Sequence, residues 1–184
     1  MKVYIFLADG FEEIEALTPV DVLRRAGVEA VTVSVMGRMN VLGSQEITVG
    51  ADMLLEQQNT ADYLDADMIF LPGGGKGTEK LAADKRLAEI INEFVKAGKK
   101  LAAICAAPSV YGRMGLLVGK KATCFPGFEN YMLGANCTGE GVVTDGQFTT
   151  GKGMGVSLPF ALKLVEILVS KDAADQLADK LQKM

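Results

Sequence analysis

Histidine is absent from all 184 residues. Its absence removes Ser–His–Asp triads, Cys–His nucleophile pairs and every zinc site that needs imidazole. Cysteine is scarce: Cys105, Cys124 and Cys137 are odd in number and show no C-x-x-C spacing. They define neither a disulfide framework nor a metal ribbon, and are expected as free thiols in a reducing compartment. No apolar run approaches the ~18 residues of a membrane span. The opening Met1–Leu7 is too short, and too soon followed by acids, for a secretory signal. A cytoplasmic location without a membrane partner is therefore expected. Charge of one sign is also lacking: 19 Lys and Arg face 23 Asp and Glu, for a net −4. Nothing in that balance suggests a nucleic-acid partner. There are no repeats and no linker, so residues 1–184 are expected to form a single domain, and no motif asks for a cofactor or a metal.

What is present is a chain that is 49% apolar, enough for a substantial globular core. Lys2–Leu7 predicts a buried strand. Apolar positions at helical spacing predict a helix from about Glu12 to Ala26, kinked or broken at Pro19, with Gly27 as its cap. A second strand is predicted over Val28–Val35, then a hairpin excursion over Arg38–Glu56 with strands at Asn40–Leu42 and Glu46–Val49 broken by Gly43 and Gly50. Asp67–Leu71 reads as a buried strand running into the loop Gly73–Gly77. Asp84–Lys96 reads as an amphipathic helix, and Leu101 opens another strand. Beyond it come a helix from Pro108 to about Met114, a strand Lys121–Phe125, a short helix Phe128–Leu133 and a hairpin turning at Asp145-Gly146. The glycine-rich loop Gly151–Gly155 and helices over Val156–Val169 and Lys171–Lys183 complete the chain. Strands alternating with helices predict an α/β sandwich with a mainly parallel sheet, whose sites lie at the carboxyl ends of its strands. That edge gathers Asp9–Glu15, Gly73–Gly77 and Cys105–Ser109.

Cys105 is the focus of the reading. An apolar strand stops at this thiol, and Ala106, Ala107 and Pro108 lead into a helix. A strand-to-helix turn raises its side chain out of the sheet toward a helix N-terminus, a setting expected to lower a cysteine pKa. Small neighbours suit a sharp turn. The competing reading is an inert thiol in a core strand. Glu12, Glu13 and Glu15 open the first helix, where the dipole favours acids. The sharper expectation is that Glu15 turns inward and shares a proton with Cys105. The acid would keep that proton, while Glu12 and Glu13 face solvent. Cys124 and Cys137 read as buried small side chains.

Four stretches together carry a resemblance: Asp9-Gly-Phe-Glu-Glu-Ile-Glu15, Pro19–Gly27, Leu71-Pro-Gly-Gly74 and Ala102-Ala-Ile-Cys-Ala-Ala-Pro108. The chain resembles the ThiJ/PfpI superfamily along its whole length, nearest its Parkinson-disease protein deglycase branch. The resemblance implies a flavodoxin-like three-layer sandwich, similar to the class I glutamine amidotransferases, and a homodimer. It implies Cys105 as an easily oxidised nucleophile with a protonated Glu15 beside it, and the backbone N–H groups of Gly74 and Ala106 as oxyanion donors. The activities it implies are a glutathione-independent glyoxalase acting on reactive carbonyls such as methylglyoxal, repair of glycated groups, oxidative-stress sensing through Cys105 and chaperone action. The chain departs from the pattern at three places. Phe125 stands where several relatives carry a histidine, and Gln45 where relatives carry an arginine near the dimer interface. Ala106 replaces the elbow histidine of the protease-like branch, which argues against peptidase activity. Arg25 is retained, and reads as a dipole partner at a helix end.

Overall fold

The first strand divides the core in two. The computed structural model describes residues 1–182. β1 (Lys2–Leu7) is completely buried from Val3 to Leu7. Because side chains alternate across a strand, Val3, Ile5 and Leu7 enter one apolar cluster, while Tyr4 and Phe6 enter the other. α1 (Glu13–Arg25) packs on the first side and leads to β2 (Glu29–Ser34). Pro19 removes the N–H that would bond the Glu15 carbonyl, yet α1 runs unbroken through it. Burial of Ala16, Val20 and Leu23 against the final helices offsets that lost bond.

The excursion that follows contains β3 (Asn40–Leu42) and β4 (Thr48–Gly50), paired antiparallel. The second strand sits later than expected because Glu46, at φ 64, belongs to the turn, and Gly50 lies within the strand rather than ending it. β5 (Met53–Leu54), unforeseen from sequence, joins the edge of the main sheet beside β2. β6 (Met68–Leu71) runs into α2 (Gly75–Ala83), a helix starting inside the stretch expected to be loop. α3 (Lys85–Lys96) is capped by Asp84, whose carboxylate accepts from Leu87 N–H at 2.8 Å. It buries Leu87, Ile90, Ile91 and Phe94 on the second face, each such side chain contributing roughly 1.5–3 kcal/mol. β7 (Lys100–Ile104) and α4 (Pro108–Arg113) follow.

β8 is only Lys121–Ala122, paired in parallel with β9 (Asn136–Cys137). The longer strand expected to Phe125 is cut short because the chain turns toward the sheet edge. Thr123 N–H donates to Thr150 Oγ1 at 2.9 Å, and Phe125 N–H donates to the Cys105 carbonyl at 2.8 Å. The expected helix at Phe128–Leu133 is a single 3-10 turn, Glu129–Tyr131. β10 (Val142–Asp145) and β11 (Phe148–Gly151) form the antiparallel hairpin at Asp145-Gly146. α5 (Ser157–Leu168) and α6 (Lys171–Lys180) end the fold; Lys183, the expected end of that last helix, lies outside the described residues.

The seven-stranded sheet has the order β10-β11-β7-β6-β1-β2-β5, parallel throughout except at β10. Its five longer parallel strands run second, first, third, fourth, fifth, which is the flavodoxin order. α1, α5 and α6 cover one face, and α3 and α4 the other. Such sheets bind ligands outside the carboxyl ends of their strands, and the ends of β1, β6, β7 and β11 converge there. Among the described residues, no helix is long and apolar enough to cross a membrane.

Candidate active site

Cys105 follows directly on β7 and adopts φ 64, the left-handed region that costs a side-chain-bearing residue about 1–3 kcal/mol. Two backbone bonds pin it there: its N–H donates to the Gly151 carbonyl at 2.8 Å, and its own carbonyl accepts from Phe125 N–H at 2.8 Å. The end of β11 and the segment at Phe125 thus support the strain from both sides, and the thiol stands half-buried above the strand ends.

The first helix starts at the same edge. Glu12 is its cap, its carboxylate accepting from Glu15 N–H at 2.7 Å. Its backbone N–H donates to the Gly73 carbonyl at 3.0 Å, stitching the helix start to the loop after β6. Glu15 thereby turns inward, 1% exposed, with its carboxyl against the Cys105 thiol. Its Oε2 is buried without a regular hydrogen bond. Gly73 explains how the pair fits. A Cβ there would lie 2.2 Å from Glu15 Oε2 and 2.5 Å from Cys105 Cβ. Gly74, at φ 90, is the N-cap of α2, and a Cβ on it would lie 2.2 Å from the Gly10 carbonyl. Only glycines permit these loops to close so tightly.

Electrostatics of the pair correct one expectation. Burial pushes the Glu15 carboxyl up to about 7, opposed by its contacts with the thiol and the Gly73 and Met154 N–H groups. Burial also pushes the Cys105 thiol up to about 12, followed by the charge of Glu15. The backbone N–H groups of Gly74 and Ala106 act in the opposite direction. The setting therefore raises the thiol instead of lowering it. α4 has only six residues and offers a weak dipole, which desolvation and a neighbouring carboxylate overcome. Sulfur holds its proton more firmly than the acid does, and Glu15 changes charge near neutral pH.

Other readings are corrected as well. Glu13 does not face solvent: it is 5% exposed and accepts from Ser44 Oγ at 3.0 Å and Gln45 N–H at 2.7 Å, tying α1 to the hairpin. Gln45 takes part through its backbone. Arg25 is exposed and pairs with Asp21 at 2.7 Å, away from the thiol. Cys124 is buried, but Cys137 is exposed. Sequence reasoning missed Gly73 as a packing partner of the pair and Met154 as a backbone donor, although the glycine run after β6 and the loop Gly151–Gly155 signalled close approaches. An open groove of about 370 Å³, lined by Phe125, Pro126, Lys152, Gly153, Met154, Gly155 and Val156, adjoins the pair. A Cβ at Gly153 would lie 3.2 Å from the Phe125 ring and 3.9 Å from Glu15 Oε1. Among the described residues, no group of three or more Cys, Asp or Glu side chains is arranged to hold a metal ion.

The arrangement can offer a nucleophile, an adjacent proton acceptor and two backbone donors. Similar proteins share the whole chain. The protein DJ-1 homolog B of Arabidopsis thaliana is 35% identical over 96% of this chain, which covers 40% of that protein; with a second Arabidopsis relative covered to 44%, the chain spans less than half the length of these two. Protein dj-1beta of Drosophila melanogaster is 31% identical, with 96% of this chain and 94% of that one covered. A Pyrococcus abyssi protein named a deglycase is 29% identical, with 91% and 99% covered. Among solved structures, oxidised DJ-1 of Toxoplasma gondii superposes with a TM-score of 0.91 at 35% identity, covering 98% of this chain and 97% of that one. The model of the DJ-1/PfpI family matches residues 1–167, and with these full-length likenesses and a shared fold the chain belongs to the DJ-1/PfpI family.

Proposed function

We propose that this protein is a cysteine-dependent glyoxalase or deglycase acting on small reactive carbonyls such as methylglyoxal. The observation that carries the reading is the contact of a completely buried Glu15, its carboxyl raised to about 7, with the thiol of Cys105. At neutral pH the ionised fraction of Glu15 takes the thiol proton as sulfur attacks the aldehyde carbon. The S–C bond forms, and the carbonyl π electrons become an oxyanion facing the Gly74 and Ala106 N–H groups, a hemithioacetal once protonated. Glu15 then takes the aldehyde-derived C–H proton, and the electrons of that bond form an enediol as the ketone oxygen is protonated. Return of a proton to the neighbouring carbon, with loss of the hemithioacetal O–H proton, gives a thioester that water hydrolyses to lactate and free Cys105. The apolar groove at Phe125 and Met154 accommodates the methyl end. The deglycase name of the Pyrococcus relative is consistent with this chemistry.

A second reading is redox sensing. The N–H groups that face the Cys105 sulfur are suited to hold oxygens added to it, and the Toxoplasma relative was solved in an oxidised form. We further propose a homodimer: Ile14, Met39, Leu42 and Ile47 are exposed on the start of α1 and the adjoining hairpin, an apolar surface suited to a second copy.

The test is lactate formation from methylglyoxal by the wild type and Cys105→Ser. Turnover that disappears in the variant supports the enzyme. No turnover by wild type, with a stable sulfinate on Cys105, favours the sensor. Equal turnover by both proteins removes Cys105 from the chemistry.

A further inference from the structure

Away from Cys105, the other two cysteines are brought together. Parallel pairing of β8 with β9 sets Cys137 opposite Ala122, and Thr138 N–H donates to the Ala122 carbonyl at 2.9 Å. Cys124 follows Ala122 by two residues, just past the end of β8. The two thiols lie near enough for each to bear on the other's ionisation. Their accessibility is divided: Cys137 is exposed, and Cys124 lies beneath at 5% exposure. An exposed thiol backed by a buried one is the arrangement of an attacking and a resolving cysteine.

We propose that Cys124 and Cys137 form a second oxidation site, in which a hydroperoxide converts the two thiols to an intramolecular disulfide. Exposure sets the order of events: Cys137 meets peroxide first, with Cys124 beneath it. The Cys137 thiolate attacks the distal peroxide oxygen, the O–O bond breaks, and water or an alcohol leaves with the thiol proton. Cys137 is now a sulfenic acid, oxidised by two electrons. The Cys124 sulfur then attacks the Cys137 sulfur, the S–S bond forms, and hydroxide leaves with the Cys124 proton as water. Burial and the Glu129 carboxylate oppose ionisation of both thiols, which keeps the pair reduced until peroxide accumulates. The closed ring would anchor the chain beside Phe125, whose N–H holds the Cys105 carbonyl.

The experiment uses the full chain. Protein is treated with hydrogen peroxide, quenched with N-ethylmaleimide in urea without reductant, and digested with trypsin plus a glutamate-specific protease. Cleavage after Lys121, Glu129 and Glu140 separates Ala122–Glu129 from Asn130–Glu140. The expected product is these two peptides joined, free of maleimide, lighter by two hydrogens than their sum and parted by reductant. It should come from protein that migrates as one chain on a non-reducing denaturing gel. Cys137→Ser should leave Ala122–Glu129 fully labelled. Maleimide on both wild-type peptides at peroxide doses that oxidise Cys105 overturns the proposal. So does Cys137 recovered as a sulfinic acid beside a labelled Cys124, or linked to another chain.

Discussion

Replacing Glu15 by glutamine isolates the electrostatics of the buried pair. The carboxyl is 1% exposed and is raised from 4.5 to about 7, chiefly by burial. The folded state therefore binds this proton more tightly than the unfolded chain. Stability from it is complete below the unfolded value and is lost as pH rises through the folded one. At 1.36 kcal/mol per unit, the whole loss is about 3 kcal/mol, most of which falls between pH 5 and pH 8. Glutamine has the same shape and no such titration. Urea unfolding under reducing conditions at pH 5, 6, 7 and 8 should show the wild type and Glu15→Gln nearly equal at pH 5. The variant should be more stable by roughly 2–3 kcal/mol at pH 8. Loss of the Glu15 charge should also lower the Cys105 pKa, read from thiolate absorbance, because that charge raises the thiol. A pH-independent difference between the two proteins, or an unmoved thiol, would refute the account of Glu15 as a desolvated acid coupled to Cys105.

Aldehyde turnover should rise with pH through a midpoint near 7, where Glu15 ionises, and a flat profile would separate Glu15 from the proton transfer. Gly73→Ala should lower stability by about 1–3 kcal/mol in urea unfolding and suppress turnover, since its Cβ would press on both Glu15 and Cys105. Glu13→Ala leaves the Gln45 N–H and Ser44 hydroxyl without their acceptor. It should cost about 2–3 kcal/mol and shift the hairpin amide signals in NMR spectra. Sedimentation at micromolar concentration should give twice the chain mass, and Ile47→Asp should halve it, because Ile47 is an exposed apolar side chain of the hairpin.

Much of this was legible in the sequence. The Lys2–Leu7 strand is uniformly apolar after its lysine, and its observed limits coincide with the reading. The elbow at Cys105 is announced by a strand meeting small residues and a proline, and Glu15 by its place in an acidic helix start. What escaped were effects of tertiary contact. The helix beginning at Gly75 was hidden because glycines break local patterns, yet here they allow the helix start to approach Gly10 and Phe11. The strand predicted to Phe125 loses its ladder to bonds with Thr150 and Cys105 far along the chain. Glu13 and Glu15 are two residues apart and look alike in sequence. One is held by the hairpin as an acceptor of ordinary hydrogen bonds, the other is desolvated against sulfur. The direction of the thiol shift depended on that desolvation, which a linear pattern does not encode.

The backbone bond from Phe125 to Cys105 bears on how this position can vary. Phe125 fixes the elbow with its amide, while its ring stays 47% exposed on the rim of the groove. The supporting interaction is indifferent to the side chain, so the residue is free to exchange polar for apolar character and alter what the rim favours, while Cys105 stays where it is. Proline alone lacks the N–H, and it is the one substitution that would disconnect the rim from the elbow.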